Sequence, residues 1–141
     1  MKAKIWGNCN IYPTAILGED TSIGSFSEIG DGVQIGDGTR IGAMCFIPAG
    51  VTIGKNVFCG PRVTFTNDFF PPSPKEAWQK TVIEDGASLG AAVSVRCGVV
   101  IGRNAMIGMG SVVLKDVPSG ECWAGVPAKK IGLRKSKRES L

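Results

Sequence analysis

Histidine is absent from all 141 residues. No imidazole can serve this chain as a general base or activate a nucleophile, and zinc chemistry resting on histidine ligands is excluded. The five cysteines, Cys9, Cys45, Cys59, Cys97 and Cys122, never form a Cys-x-x-Cys pair, so no metal site is expected. No run approaches the ~18 consecutive apolar residues of a membrane span. Residues Met1 to Asn8 lack the apolar core of a secretory leader, so the expectation is a cytoplasmic protein without membrane insertion. The net charge of +4 comes from the end of the chain, where Lys129, Lys130, Arg134, Lys135, Lys137 and Arg138 outweigh Glu139. No basic stripe interleaved with aromatics precedes them, so a nucleic-acid partner is not expected.

Glycine is plentiful: its 20 residues are about twice the ordinary share. They recur in step. From Ile29 to Val57 an aliphatic residue returns at every sixth position, usually followed by Gly, with a small or β-branched residue four places on. The leading residues run Ile5, Ile11, Leu17, Ile23, Ile29, Ile35, Ile41, Ile47, Ile53, Cys59, Phe65, and again Ile83, Leu89, Val95, Ile101, Ile107 and Val113. Hexapeptide periodicity is the mark of a parallel β-helix. Each hexad makes a short strand and a corner, and three hexads close a coil. About six coils follow, each about 4.8 Å from the next. Leaders one coil apart stack: Ile5, Ile23, Ile41 and Cys59 on one column, Ile11, Ile29, Ile47 and Phe65 on the next. Glycine at the second and often the fourth hexad position is expected to permit corner dihedrals that a Cβ resists. Cys9 and Cys45 share a column two coils apart, roughly 9–10 Å, too far for a disulfide; buried free thiols are expected.

The frame breaks once. Residues 66–82 hold Pro71, Pro72 and Pro74, which remove ladder donors, so this stretch must leave the solenoid and return where it left. Phe69, Phe70 and Trp78 need a surface to cover, either their own coil or a neighbouring subunit. A second change begins at Pro118. Residues 118–133 read as a C-terminal cap, with Trp123 over the open end and its unpaired strand edges. Residues 134–141 read as a basic tail, solvated and frayed from Lys135 onward. The chain is thus expected to be one all-β domain over 1–141.

Polar residues at the root of the loop are Asn67 and Asp68. Locally they read as turn residues bonded to their own backbone. Ala91 and Ala92 fill one corner, and Met109 and Gly110 the same corner one coil later. Small residues there would let a thin ligand lie close to the backbone.

Three stretches are more specific: Gly60-Pro-Arg-Val-Thr-Phe-Thr-Asn-Asp68, then Ile83-Glu-Asp-Gly-Ala-Ser-Leu-Gly-Ala-Ala92, then Asp116-Val-Pro with Ala124-Gly-Val-Pro-Ala-Lys129. Together they resemble the hexapeptide-repeat nucleotide-sugar N-acetyltransferases of surface-polysaccharide synthesis. The resemblance implies a left-handed helix, against the general right-handed crossover rule. It also implies a homotrimer and acetyl-CoA as co-substrate. The acceptor implied is an amino sugar carried by UDP or dTDP. By the same resemblance Asn67 orients the amine or the thioester carbonyl, and Asp68 helps hold the sugar. Ala91, Ala92 and Gly110 line the pantetheine arm, while Lys129, Lys130 and Arg103 meet the phosphates of CoA. The likeness lapses after Asp68. Where that family carries Pro-Arg, this chain reads Phe69-Phe70-Pro71-Pro72-Ser73. A non-catalytic scaffold and a sugar O-acetyltransferase are the competing readings; a hydroxyl acceptor calls for a base that a histidine-free chain supplies badly.

Overall fold

The computed structural model describes residues 2–136; Lys137, Arg138 and Glu139 of the basic tail lie outside them. Each hexad forms a two- or three-residue strand ending on its leader, as in Lys4–Ile5, Asn10–Ile11 and Ile16–Leu17. The strands stack in parallel on three faces. The first face pairs Ile5 with Ile23, Ile23 with Ile41, Ile41 with Cys59, Cys59 with Leu89 and Leu89 with Ile107. The second runs from Ile11 through Ile29, Ile47 and Phe65 to Val95 and Val113. The third joins Leu17, Ile35, Ile53, Ile83 and Ile101, and ends in a bridge to Val117. These faces complete six turns, and Glu121–Gly125 opens a seventh on the first face.

Leaders from Ile23 to Val113 are buried, each contributing about 1.5–3 kcal/mol for a fully enclosed aliphatic side chain. Inward hydroxyls are satisfied across turns. Ser27 Oγ donates to Gly42 O at 3.0 Å and accepts from Cys45 N at 3.2 Å. Thr39 repeats the device with Gly54 O at 2.7 Å and Val57 N at 3.0 Å. All five cysteines are free thiols. Burial pushes the thiols of Cys45 and Cys59 above the usual range.

The expected reason for the second-position glycines needs correcting. The left-handed residue of the corner sits at the fourth hexad position, where Gly32 and Gly38 are joined by Phe26, Met44 and Ala92. The second-position glycines are required by contact instead. A Cβ on Gly42 would lie 2.6 Å from Pro61 N, and one on Gly60 would lie 2.7 Å from Ala91 N. Adjacent turns touch backbone to backbone at these points, leaving no room for a side chain.

The chain leaves the solenoid after Phe65 and rejoins at Thr81, which pairs with Val51. Both ends of the excursion are tied: Gln79 N donates to Asn67 O at 2.8 Å and Thr81 N to Gly50 O at 3.0 Å. Its one regular element is a 3-10 turn, Lys75–Ala77. The excursion folds down over its own solenoid. Lys75 Nζ lies 3.8 Å from Asp31 Oδ2, and Trp78 closes a cleft against Phe46 and Pro48. Phe70 remains 76% exposed.

At the C-terminal end, Glu121–Gly125 and Ala128–Leu133 form an antiparallel hairpin over the last turn. Trp123 is in register with Ile107 and packs on the core, where it was expected as a plug. Arg134 follows the hairpin and is anchored. Its guanidinium donates to Gly86 O at 2.9 Å and to Ser88 Oγ at 3.2 Å.

Candidate active site

Three corners join the three faces, and the residues singled out in the sequence divide among them. Ala91, Ala92 and Gly110 lie on the first corner, between the first and second faces. Asn67 and Asp68 lie on the second corner. Arg103 lies on the third, with Nη2 3.9 Å from Asp85 Oδ2 and both side chains exposed.

On the second corner, Asn67 follows Thr66 directly after a buried leader, so its side chain turns outward at the root of the loop. Its Nδ2 donates to Ala49 O, one turn below, at 3.0 Å. An amide nitrogen carries two hydrogens; one is fixed by Ala49, which orients the other. Asn67 forms part of the wall of a cleft of about 350 Å³ between the loop and the solenoid. Asp68 points elsewhere. Its Oδ2 accepts from Ser73 N at 2.7 Å, and its Oδ1 is buried without a partner. The turn chemistry legible in the sequence describes Asp68, because the loop folds back over its carboxylate. It is not part of the cleft lining.

Sequence reasoning missed Arg96. It stands one turn above Thr66, where Thr66 N donates to Val95 O at 3.1 Å and Cys97 N to Thr66 Oγ1 at 3.0 Å. The guanidinium carbon lies 4.7 Å from the centroid of the Phe69 ring, and Nε is buried without a partner. A cation therefore does reach the loop root, supplied by the next turn and not by the loop. The available signal was Val95-Arg96, an arginine where the hexads favour glycine.

Farther along the same edge, Leu114 and Lys115 join Pro127, Lys129 and Lys130 of the hairpin around a groove of about 280 Å³. Lys130 Nζ is 3.2 Å from Glu121 Oε2, and Trp123 Nε1 donates to Glu121 Oε1 at 3.0 Å. The indole hydrogen bond, with Lys130 behind it, holds the Glu121 carboxyl below its usual range. Leu114 and Lys115 share the corner of Asn67, about two turns or ~10 Å farther along, whereas Lys129 and Lys130 pair with Ala124 and Trp123 above the first face. The structure does not bring Ala91, Ala92 or Gly110 to the corner of Asn67 within one chain. At the first corner the N–H of Ala92 donates to Pro61 O at 2.9 Å and that of Gly110 to Ala91 O at 2.8 Å, so both amides are engaged by the stack. Among the described residues no cluster of metal-ligating side chains occurs, and no helix is long and apolar enough to cross a membrane.

Fold and repeat together define a class: a left-handed parallel β-helix of hexapeptide repeats with one corner looped out. The family described as bacterial transferase hexapeptide (six repeats) matches residues 80–115, and the hexapeptide repeat of succinyl-transferase matches residues 14–47 and 32–60. No curated protein matches the sequence. Among solved structures, a histidine variant of perosamine N-acetyltransferase from Caulobacter crescentus, in complex with CoA and GDP-perosamine, superposes with a TM-score of 0.82. It is 25% identical, and the match covers 92% of this chain and 56% of that one. The acetyltransferase domain of PglB from Neisseria gonorrhoeae gives 0.81 at 20% identity over 92% of this chain and 58% of that one. A variant of AntD, an N-acyltransferase from Bacillus cereus in complex with dTDP and coenzyme A, gives 0.84 at 23% identity over 98% and 84%. The last two are likenesses of fold. The chain spans little more than half the length of the first two structures. The first of these neighbours, an N-acetyltransferase in complex with GDP-perosamine, is of the class that the motifs resemble.

Proposed function

We propose that this chain transfers the acetyl group of acetyl-CoA to the amine of a nucleotide-linked amino sugar, in the cytoplasm. The observation that carries the reading is Asn67: an outward amide at a cleft, fixed by Ala49 O, with a second N–H to offer. The groove lined by Lys115, Lys129 and Lys130 supplies cations for the phosphates of CoA. Similar structures hold CoA together with GDP-perosamine or with dTDP.

The step is direct. The neutral amine attacks the thioester carbonyl, a C–N bond forms, and the oxyanion is met by the free N–H of Asn67. Collapse breaks the C–S bond, and the ammonium proton passes to the departing thiolate or to water. Alignment of the two substrates provides much of the acceleration. Asp68 shapes the loop root in this scheme and does not touch the sugar.

The complete site is formed between copies of the chain in a homotrimer. Phe26, Met44 and Met109 expose apolar surface along the first corner. That corner also carries Ala91, Ala92 and Gly110, and it packs against the second corner of a neighbour. The pantetheine arm then runs between Asn67 of one copy and the small residues of the next. There it meets carbonyls and Cα–H groups, since the amides of Ala92 and Gly110 are engaged.

Incubation with acetyl-CoA and UDP-, dTDP- or GDP-linked amino sugars tests the activity. Thiol release with acetylation of the sugar is expected; no release with any acceptor overturns it. The scaffold reading draws on one observation, the carboxylate of Asp68 folded into its own loop. Calorimetry with CoA separates the two, because a scaffold gives no binding.

A further inference from the structure

The cleft beside Asn67 carries more chemistry than the transfer step uses. Its lining brings together residues from successive turns and from the loop: Tyr12, Glu28, Asp31, Phe46, Asn67 and Trp78. Three of the six are aromatic in a chain with only 7% aromatic residues. Two are carboxylates, and each is held in place. Asn10 Nδ2 donates to Glu28 Oε1 at 3.2 Å, leaving Glu28 Oε2 without a partner among the described residues. The Thr14 hydroxyl donates to Asp31 Oδ1, and Gly32 N donates back to Thr14 Oγ1 at 3.0 Å. Asp31 Oδ2 has, among the described residues, the exposed Lys75 ammonium, 3.8 Å away.

Aromatic faces beside fixed carboxylate acceptors match one kind of ligand well. A pyranose presents polarised C–H groups to a ring face and pairs of hydroxyls to a carboxylate. A diphosphate does not suit this lining, because Glu28 and Asp31 repel it and Lys75 is already paired. The volume, about 350 Å³, suits one sugar ring and excludes a whole nucleotide sugar.

We infer that this cleft is the sugar-ring subsite, in which Trp78, Phe46 and Tyr12 face the pyranose while Glu28 and Asp31 accept its hydroxyls. The inference rests on the acetyltransferase reading. The ring enters with its amine toward Asn67, and the nucleotide extends away from the carboxylates. Glu28 and Asp31 are then specificity-determining residues, because they read hydroxyl positions that the transfer chemistry ignores. Lys75 of the loop leaves Asp31 when the sugar arrives, so the seat of the loop reports occupancy.

Glu28→Gln and Trp78→Ala variants of the full chain test this with GDP-perosamine and with UDP- and dTDP-linked 4-amino sugars as probes. Both variants are expected to raise KM for the acceptor about 10-fold or more, leaving kcat and CoA affinity near wild type. Unchanged acceptor KM in both overturns the subsite. Where no probe is acetylated, the activity reading fails by itself, and calorimetric binding of the same probes decides the cleft. Binding by wild type that is lost in both variants supports the subsite; equal binding, or none by wild type, overturns it. Circular dichroism and CoA binding show that the variants are folded.

Discussion

Asn67 Nδ2 donates to Ala49 O at 3.0 Å, spanning one turn of the solenoid. The bond fixes the amide plane before any ligand arrives, and preorganised donors are the ones that matter in a transition state. Asn67→Ala is expected to lower kcat by about 10²–10³, with assembly unchanged. Steady-state kinetics beside sedimentation check it. An Asn67→Ala variant with full turnover would remove this residue from the chemistry.

Second-position glycines are demanded by contact and not by dihedral freedom. Gly42→Ala, whose Cβ would meet Pro61 N at 2.6 Å, is expected to cost about 1–3 kcal/mol. Gly7→Ala, where nothing lies within 4 Å, is expected to be near neutral. Thermal unfolding of the two variants separates them.

Arg134 closes the C-terminal end by reaching the carbonyl of Gly86 and the hydroxyl of Ser88. Hydrogen bonds from a charged donor contribute about 1.5–3 kcal/mol. Arg134→Met is expected to lower the melting temperature, and to do so equally at low and high salt, since the partners are neutral. A Lys at this position is expected not to restore it, lacking the fork that reaches both acceptors.

The cap has an acid limit. The Glu121 carboxyl is held below its usual range by the Trp123 indole and Lys130. A depressed carboxyl contributes stability that is present above its unfolded value and lost as the pH falls through the lower folded value. Fluorescence from Trp123 is expected to shift across that acid window and to remain steady above it. Glu121→Gln should abolish the shift.

Cys45 and Cys59 are buried with thiols pushed upward, so the reactive thiolate is suppressed. Neither is expected to react with a thiol reagent in the native protein, and both should react after denaturation. Mass mapping of labelled peptides reads the outcome.

The solenoid was legible because one physical demand repeats. An inward aliphatic residue at every sixth position leaves a mark at Ile23, Ile41 and Ile101 alike, and the phase survives the interruption between Phe65 and Ile83. The end of the repeat was legible from Pro118, though not the hairpin of Glu121–Gly125 and Ala128–Leu133 that follows it. The candidate site was legible only in part. Asn67 could be singled out because it sits where the repeat breaks. Glu28 and Asp31 could not, since their meeting with Asn67 and Trp78 depends on stacking across turns and on how the loop folds down. Nor did the sequence tell that the side chain of Asp68 turns inward while that of its neighbour turns out. That difference is set by Ser73 N, whose position only the folded loop determines.

Thr81 rejoins the stack opposite Val51 as though the preceding residues were an ordinary corner. The excursion therefore leaves and re-enters the spool at neighbouring points, and its length places no demand on the register of the windings above or below. Lengthening, shortening or exchanging it alters the mouth of the cleft and leaves the framework untouched. Replacing this one appendage would change the wall around Asn67 and Trp78 while every inward-facing side chain stays as it is.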